Sequence, residues 1–140
     1  MRPAILTLNA GSSTVKYALF GDDGVTELSR GTLEETGEAA MAKALEVTRT
    51  AEVEVVGVGH RVVHGGVTHS APARIDDAVL ATLESFVPLA PLHQPHNVQG
   101  IKAARAAFPN VPQVACFDTA FHRTRSFVEE AYALPRRFFD

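Results

Sequence analysis

Apolar and β-branched residues open the chain in two short runs, 4–8 and 15–20, separated by the turn formers Asn9-Ala10-Gly11-Ser12-Ser13. Runs of that length bounded by Gly, Asn and Ser predict two antiparallel strands around a polar loop. Gly21-Asp22-Asp23-Gly24 predicts a turn into a third strand over 25–32, so the chain begins as a meander. The hydrophobic period then changes. Met41, Ala44, Leu45 and Thr48 share one face at helical spacing and predict a helix over 38–48. An apolar run over 53–63, punctuated by Gly57 and Gly59, predicts a strand reached by a crossover.

Val79, Leu80, Leu83, Phe86 and Val87 again repeat at helical spacing, behind Asp76 or Asp77 as the cap and ahead of Pro88 and Pro91 as the stop. Pro95 suits the first turn of a further helix, whose apolar face is Val98, Ile101, Ala104 and Phe108. Residues 111–117 predict a last, buried strand. Three antiparallel strands followed by helix, strand, helices and strand define an α/β domain with a mixed sheet. Ligands of such domains gather at strand ends and in the loops beyond them. No repeat, low-complexity tract or flexible linker divides the chain, so residues 1–140 read as one domain.

Composition narrows the function more than the fold. The formal net charge is −3, which supplies no overall positive field for nucleic acid or an anionic membrane. No apolar run approaches the roughly 20 residues that cross a bilayer. The opening Met1-Arg2-Pro3-Ala4-Ile5-Leu6-Thr7-Leu8 is too soon interrupted by Asn9 to read as a signal peptide, so a soluble, non-exported protein is expected. A single cysteine, Cys116, agrees with a reducing compartment and is expected to be a buried apolar filler.

Several segments carry candidate chemistry. The turn 9–13 combines glycine freedom, closely spaced N–H groups and two hydroxyls, which is what a loop needs to approach phosphate oxygens; a solvated hairpin reads equally well from spacing alone. Strand alternation puts Thr14 and Lys16 on one face and Val15, Tyr17 and Leu19 on the other, so Lys16 can lean over the same anion. No Walker-type or dinucleotide-binding glycine pattern is present. In Gly59-His60-Arg61-Val62-Val63-His64-Gly65-Gly66, an extended backbone would project Arg61 and Val63 from one face. That pairs a forked guanidinium with a small apolar surface, the two ends of a short carboxylic acid, against the plainer alternative of a surface ion pair beside a core valine.

His60 and His64 would share a helix face as a metal pair does, but their β-branched, glycine-bounded context predicts a strand. On a strand, four residues span about 13 Å, too far for one ion. His93 and His96 stand at a Pro-rich helix entry that suits capping or partial burial, and His69 and His122 add no ligand spacing. Asp118 closes the last strand among apolar residues and there serves either Mg²⁺ or a reacting group, or simply caps a helix.

Taken together and in order, Leu8-Asn9-Ala10-Gly11-Ser12-Ser13, the segment 59–66, Pro88-Leu89-Ala90-Pro91-Leu92-His93 and Phe117-Asp118-Thr119-Ala120-Phe121-His122 resemble the acetate and propionate kinase family. The similarity runs from about Ala4 to Pro135. It implies a ribonuclease H-like, actin-like ATPase sheet, the first lobe of an enzyme of the sugar kinase, Hsp70 and actin superfamily, with the nucleotide-binding C-terminal lobe outside this chain.

By that resemblance, Asn9 lies near Mg²⁺ and the transferring phosphoryl group, with Ser12, Thr14 and Lys16 in the supporting phosphate loop. Arg61 would bind the acyl carboxylate, Val63 and Leu92 would line the methyl pocket, His93 would stabilise the phosphoryl group in flight, and Asp118 would organise the Mg²⁺ shell. The implied reaction is transfer of the γ-phosphoryl group of ATP to acetate, with Mn²⁺ as an alternative metal, in a cytoplasmic homodimer assembled largely through residues outside the chain. A propionate or other short-chain acyl kinase is the nearest alternative, and a non-catalytic phosphate- or partner-binding lobe the next. Thr14-Val15 where the family commonly has Ser-Leu, Gln94-Pro95-His96 where it has Asn-Pro-Ala, and residues 125–131 depart from the pattern.

Overall fold

The structure, a computed structural model, describes residues 1–138. Strands β1 (Arg2–Ala10), β2 (Val15–Gly21) and β3 (Glu27–Leu33) form the expected meander, and α1 (Gly37–Thr50) crosses to β4 (Val53–Val62). A two-residue strand, β5 (Ala73–Arg74), was not legible in the sequence; α2 (Asp77–Ser85), α3 (Gln94–Ala107), β6 (Gln113–Phe117) and the single turn α4 (Phe127–Glu130) follow. Asp76, rather than Asp77, caps α2, its carboxylate accepting from the Val79 N–H at 2.7 Å. α2 ends at Ser85, ahead of both prolines, and Pro88 sits in a 3-10 turn over Val87–Leu89.

The strands form one six-stranded sheet in the order β3-β2-β1-β4-β6-β5. β1 runs parallel to β4, and β4 to β6, while the pairs β1–β2, β2–β3 and β5–β6 are antiparallel. Side chains alternate across this sheet, so the two faces have different fates. Ala4, Leu6, Leu8 and Ala10 of β1 pack with Ala40, Met41 and Ala44 of α1 and Ala104 of α3. Val62, Ala115 and Phe117 pack with Leu83 of α2 and Val98 and Ile101 of α3. Helices α1 to α3 thus cover one face, and the residues between these positions point to the other.

That alternation corrects two expectations. β6 is buried only at every second residue, and Cys116, between buried Ala115 and Phe117, is exposed on the face opposite the helices rather than filling the core. The strand predicted over 53–63 stops at Val62, so Arg61 and Val63 do not continue one extended face.

Helix α3 lies close against the end of β1. A Cβ built on Gly100 would come within 2.9 Å of the Ala10 Cβ and 3.1 Å of the Met41 Cε. The methionine end can move, but the Ala10 Cβ is held on the sheet. Gly100→Ala would gain about 1 kcal/mol of helix propensity and incur an overpacking cost of about 1–3 kcal/mol. Overpacking prevails, so urea denaturation should show this glycine-to-alanine change inside a helix to be destabilising by about 1 kcal/mol, the reverse of the usual sign.

Candidate active site

The carboxyl ends of β1, β4 and β6 lie side by side in the middle of the sheet, and each delivers one polar side chain to the open face. Asn9 is the penultimate residue of β1, Arg61 the penultimate residue of β4, and Asp118 follows the last residue of β6. The Arg61 Nε–H donates to both Asp118 carboxylate oxygens at 3.0 Å, its Nη2 donates to Oδ2 at 2.5 Å, and its Nη1 donates to the Asn9 Oδ1 at 3.3 Å. The guanidinium is thereby held from one side by a carboxylate fork and from the other by an amide oxygen. The hydrogen bond to Asp118 raises the Arg61 pKa above its ordinary value, partial burial opposing it, so this cation is permanent at any accessible pH.

Asn9 faces Lys16 across the β1–β2 ladder. Asn9, Lys16 and Arg61 line one open cavity of about 590 Å³, together with Thr7, Arg30 and Cys116. Gly57 and Gly59 lie on the same open face of β4. Cβ atoms added there would meet only Ile5 Cγ1 at 4.0 Å and Thr7 Cγ2 at 3.8 Å, so glycine keeps this floor low without being demanded by contacts within the chain. Three cations, Lys16, Arg30 and Arg61, are among the lining residues, Arg30 paired with Glu27 and Arg61 with Asp118 just outside that lining.

The other candidate residues lie outside that lining. Ser12 is exposed and Thr14 half-buried in the turn between β1 and β2, which the Gly11 N–H closes on the Thr14 carbonyl at 2.9 Å. Val63 is half-buried in the bend after β4. Leu92 is 72% exposed, and His93 is exposed at the N-cap position of α3 with no side-chain cap bond. Asp118 does not cap a helix; it is the first residue of a 3-10 turn, and its side chain is turned to Arg61 instead.

His60, His64 and His69 each have a separate partner. His60 is buried on the helix-covered face, its Nε2 2.8 Å from the Gln113 Oε1. Burial lowers its pKa to about 4, the Gln113 bond opposing only in part, so it is a neutral core residue at pH 7. The His64 Nδ1 accepts from the Gly66 N–H at 2.9 Å, and His69 stacks on Phe117 with ring centroids 4.9 Å apart.

Two residues that sequence reasoning passed over are buried polar amides of α3. Gln94 and Asn97 are 0% and 3% exposed. The Gln94 amide accepts from the His64 N–H at 3.3 Å and donates to the His64 and Leu83 carbonyls at 3.1 and 3.2 Å. Asn97 donates to the Ala10 carbonyl at 2.7 Å and accepts from the Val63 N–H at 2.9 Å. The signal was available: both stand on the stripe that carries Val98, Ile101 and Ala104, where an amide is out of place unless something buried needs it.

A meander, a crossover helix and two further parallel strands, with cation and oxygen groups gathered at their carboxyl ends, place this chain in the actin-like ATPase fold class. Two solved structures align with nearly all of it. They are a propionate kinase from Francisella tularensis (TM-score 0.80, 32% identity, 97% of this chain and 42% of that one) and an acetate kinase from Porphyromonas gingivalis, with the same TM-score, identity and coverage. The model of the Acetokinase family matches residues 36–140, and the chain belongs to that family. It is 45% identical over 179 residues to an acetate kinase from Methylocella silvestris, a match that takes in 100% of this chain and 44% of that relative. The matched stretch is longer than the 140 residues here, so the relative carries insertions within it.

Proposed function

We propose that the complete polypeptide bearing these residues is an acetate kinase, and that this part of it supplies the carboxylate clamp and the phosphate loop. The observation that carries the reading is the Arg61 fork, which already holds a carboxylate, that of Asp118, through Nε and Nη2 beside the open cavity that Lys16 also lines. Were Asp118 to turn from that fork to Mg²⁺, the freed guanidinium would accept a short acyl carboxylate by the same paired geometry. On this reading Val63 and Leu92 border the methyl group, and further residues of the complete protein close over Leu92, which is exposed here.

Acetate is ionised at neutral pH, so its oxygen attacks the γ-phosphorus directly. The new O–P bond forms as the bond to the β-phosphate bridging oxygen breaks, ADP departs with that electron pair, and no proton is transferred. Catalysis then rests on alignment and charge neutralisation. Arg61 orients the nucleophile. Lys16, beside Asn9 on the ladder, and His93 offset the charge of the moving phosphoryl group, and Ser12 and Thr14 shape the loop beneath the phosphates.

Asn9 and Asp118 turn one amide oxygen and one carboxylate toward the same cation, Arg61, and no trio of His, Cys, Asp or Glu able to hold a metal exists among the described residues. This donor set fits Mg²⁺, which takes one or two protein oxygens and completes its shell with phosphate and water. When bound there with ATP, the ion neutralises phosphate charge. The dimeric state and cytoplasmic setting of the complete protein belong to the same proposal; among the described residues no helix is long and apolar enough to cross a membrane.

The test is hydroxamate trapping of acyl phosphate made by the complete polypeptide from Mg-ATP and acetate, propionate or butyrate. Acetate giving the highest kcat/KM is the expected result. A maximum at propionate would transfer the reading to that acceptor, and nucleotide binding without any acyl phosphate would replace it with a non-catalytic lobe.

A further inference from the structure

Asn9 and Arg61 stand on neighbouring parallel strands whose ladder runs out beside them. The paired register of β1 and β4 ends at Leu8 and His60, although β1 continues to Ala10 and β4 to Val62. Continued in that register, the next ladder bond would run from the Val63 N–H to the Ala10 carbonyl, and the Asn97 amide stands between the two instead. Both are satisfied by a single side chain: the Asn97 amide donates to the Ala10 carbonyl at 2.7 Å and accepts from the Val63 N–H at 2.9 Å. We propose that Asn97 is a positioning residue, its amide acting as a stand-in peptide group that fixes the separation of Asn9 from Arg61 where the sheet no longer does.

This inference rests on the acyl kinase reading for its kinetic consequence, though not for its structural one. Ala10 directly follows Asn9, and Val63 lies two residues beyond Arg61, so each hydrogen bond acts within a residue or two of a site side chain. The orientation of the amide is determined by its partners, since a carbonyl can only accept and an N–H can only donate. Asn97 cannot drift, because its helix is pressed on Ala10 at Gly100 and Gln94 pins the next residue of the bend, His64, through both its backbone groups. In effect one rigid helix face sets the gap between the carboxylate clamp and the strand end that opens the phosphate loop.

The reaction is sensitive to that gap. Misplacing reacting atoms by about 1 Å costs on the order of 10²-fold in rate, whereas each substrate, bound by its own group, is held nearly as before. Asn97→Asp retains the size and the acceptor toward Val63 but sets a second oxygen against the Ala10 carbonyl. Ile101→Val trims a fully buried neighbour on the same helix whose apolar side chain makes no hydrogen bond to either strand end.

In the complete polypeptide we expect Asn97→Asp to lower kcat about 10²-fold with the KM values for acetate and ATP changed less than about threefold, and Ile101→Val to leave kcat within about twofold. Hydrogen exchange provides a readout independent of chemistry. The Val63 amide should lose protection in Asn97→Ala, which removes its acceptor, and retain it in Ile101→Val. Unchanged kcat in Asn97→Asp, equal kcat losses in Asn97→Asp and Ile101→Val, or undiminished Val63 protection in Asn97→Ala would each overturn the proposal. If the wild-type polypeptide forms no acyl phosphate while the exchange pattern is as expected, the kinase reading fails and the structural role of Asn97 stands.

Discussion

Arg61→Ala lowers kcat/KM for acetate by about 10²–10³-fold in the complete polypeptide, the loss typical of removing one charge-bearing donor from a site that stabilises developing charge. The effect should be concentrated on the carboxylic acid, with the KM for ATP little changed, because Arg61 meets Asp118 and Asn9 and leaves Lys16 to the phosphate side. Arg61→Lys should recover little of it. A lysine keeps the charge but offers no fork, and the bond to Asp118 engages two nitrogens at once.

Global stability should be almost untouched by either change. The side chains of Arg61 and Asp118 are 50% and 40% exposed, and an ion pair so open to water contributes about 0–1 kcal/mol. Steady-state kinetics and thermal unfolding on the same preparations therefore separate the two possible roles of this residue. Unchanged kinetics for acetate would remove Arg61 from the site, and a large fall in melting temperature would make it a structural ion pair.

The second large effect is one of pH and arises on the helix-covered face of the sheet, behind the site. His60 titrates near its ordinary 6.5 in the unfolded chain and at about 4 in the folded one, because burial disfavours the imidazolium. Above pH 6.5 the ring is neutral in both states and contributes nothing to the pH dependence. Between 6.5 and about 4 the unfolded chain binds a proton that the folded chain refuses, so stability falls as the pH falls through this window. Below about 4 both forms are protonated and the loss is complete. Summed over the window, this single group costs about 3 kcal/mol. Urea denaturation at a series of pH values should show that decline in the wild-type chain and its absence in His60→Gln, which keeps a neutral polar partner beside Gln113. An equal decline in both would mean that His60 is not the group responsible.

Much of the architecture was written in local periodicity. Met41, Ala44 and Thr48 do form the buried face of α1, and Val98, Ile101 and Ala104 that of α3, because a helix repeats its faces within a few residues and needs no distant information to do so. The meander was readable for the same reason, its turns being marked by glycine, asparagine and aspartate. The length of the strand at Arg61 was not readable. Val62 and Val63 are chemically alike, and only the docking of the Val63 N–H on Asn97 makes one the last strand residue and the other the bend.

By itself the sequence determined the main elements and their order, β5 apart, and a motif set that belongs to the acetokinase family. Tertiary structure alone decided that Asn9, Arg61 and Asp118, 52 and 57 residues apart along the chain on either side of the arginine, meet in one hydrogen-bonded group. It also decided that Cys116 faces away from the core and that two amides on an apolar helix stripe tie strand ends together. The reason is the same in each case: strand alternation and helix faces follow from neighbours a few residues away, whereas the partner of a buried or converging polar group is chosen by how distant segments pack.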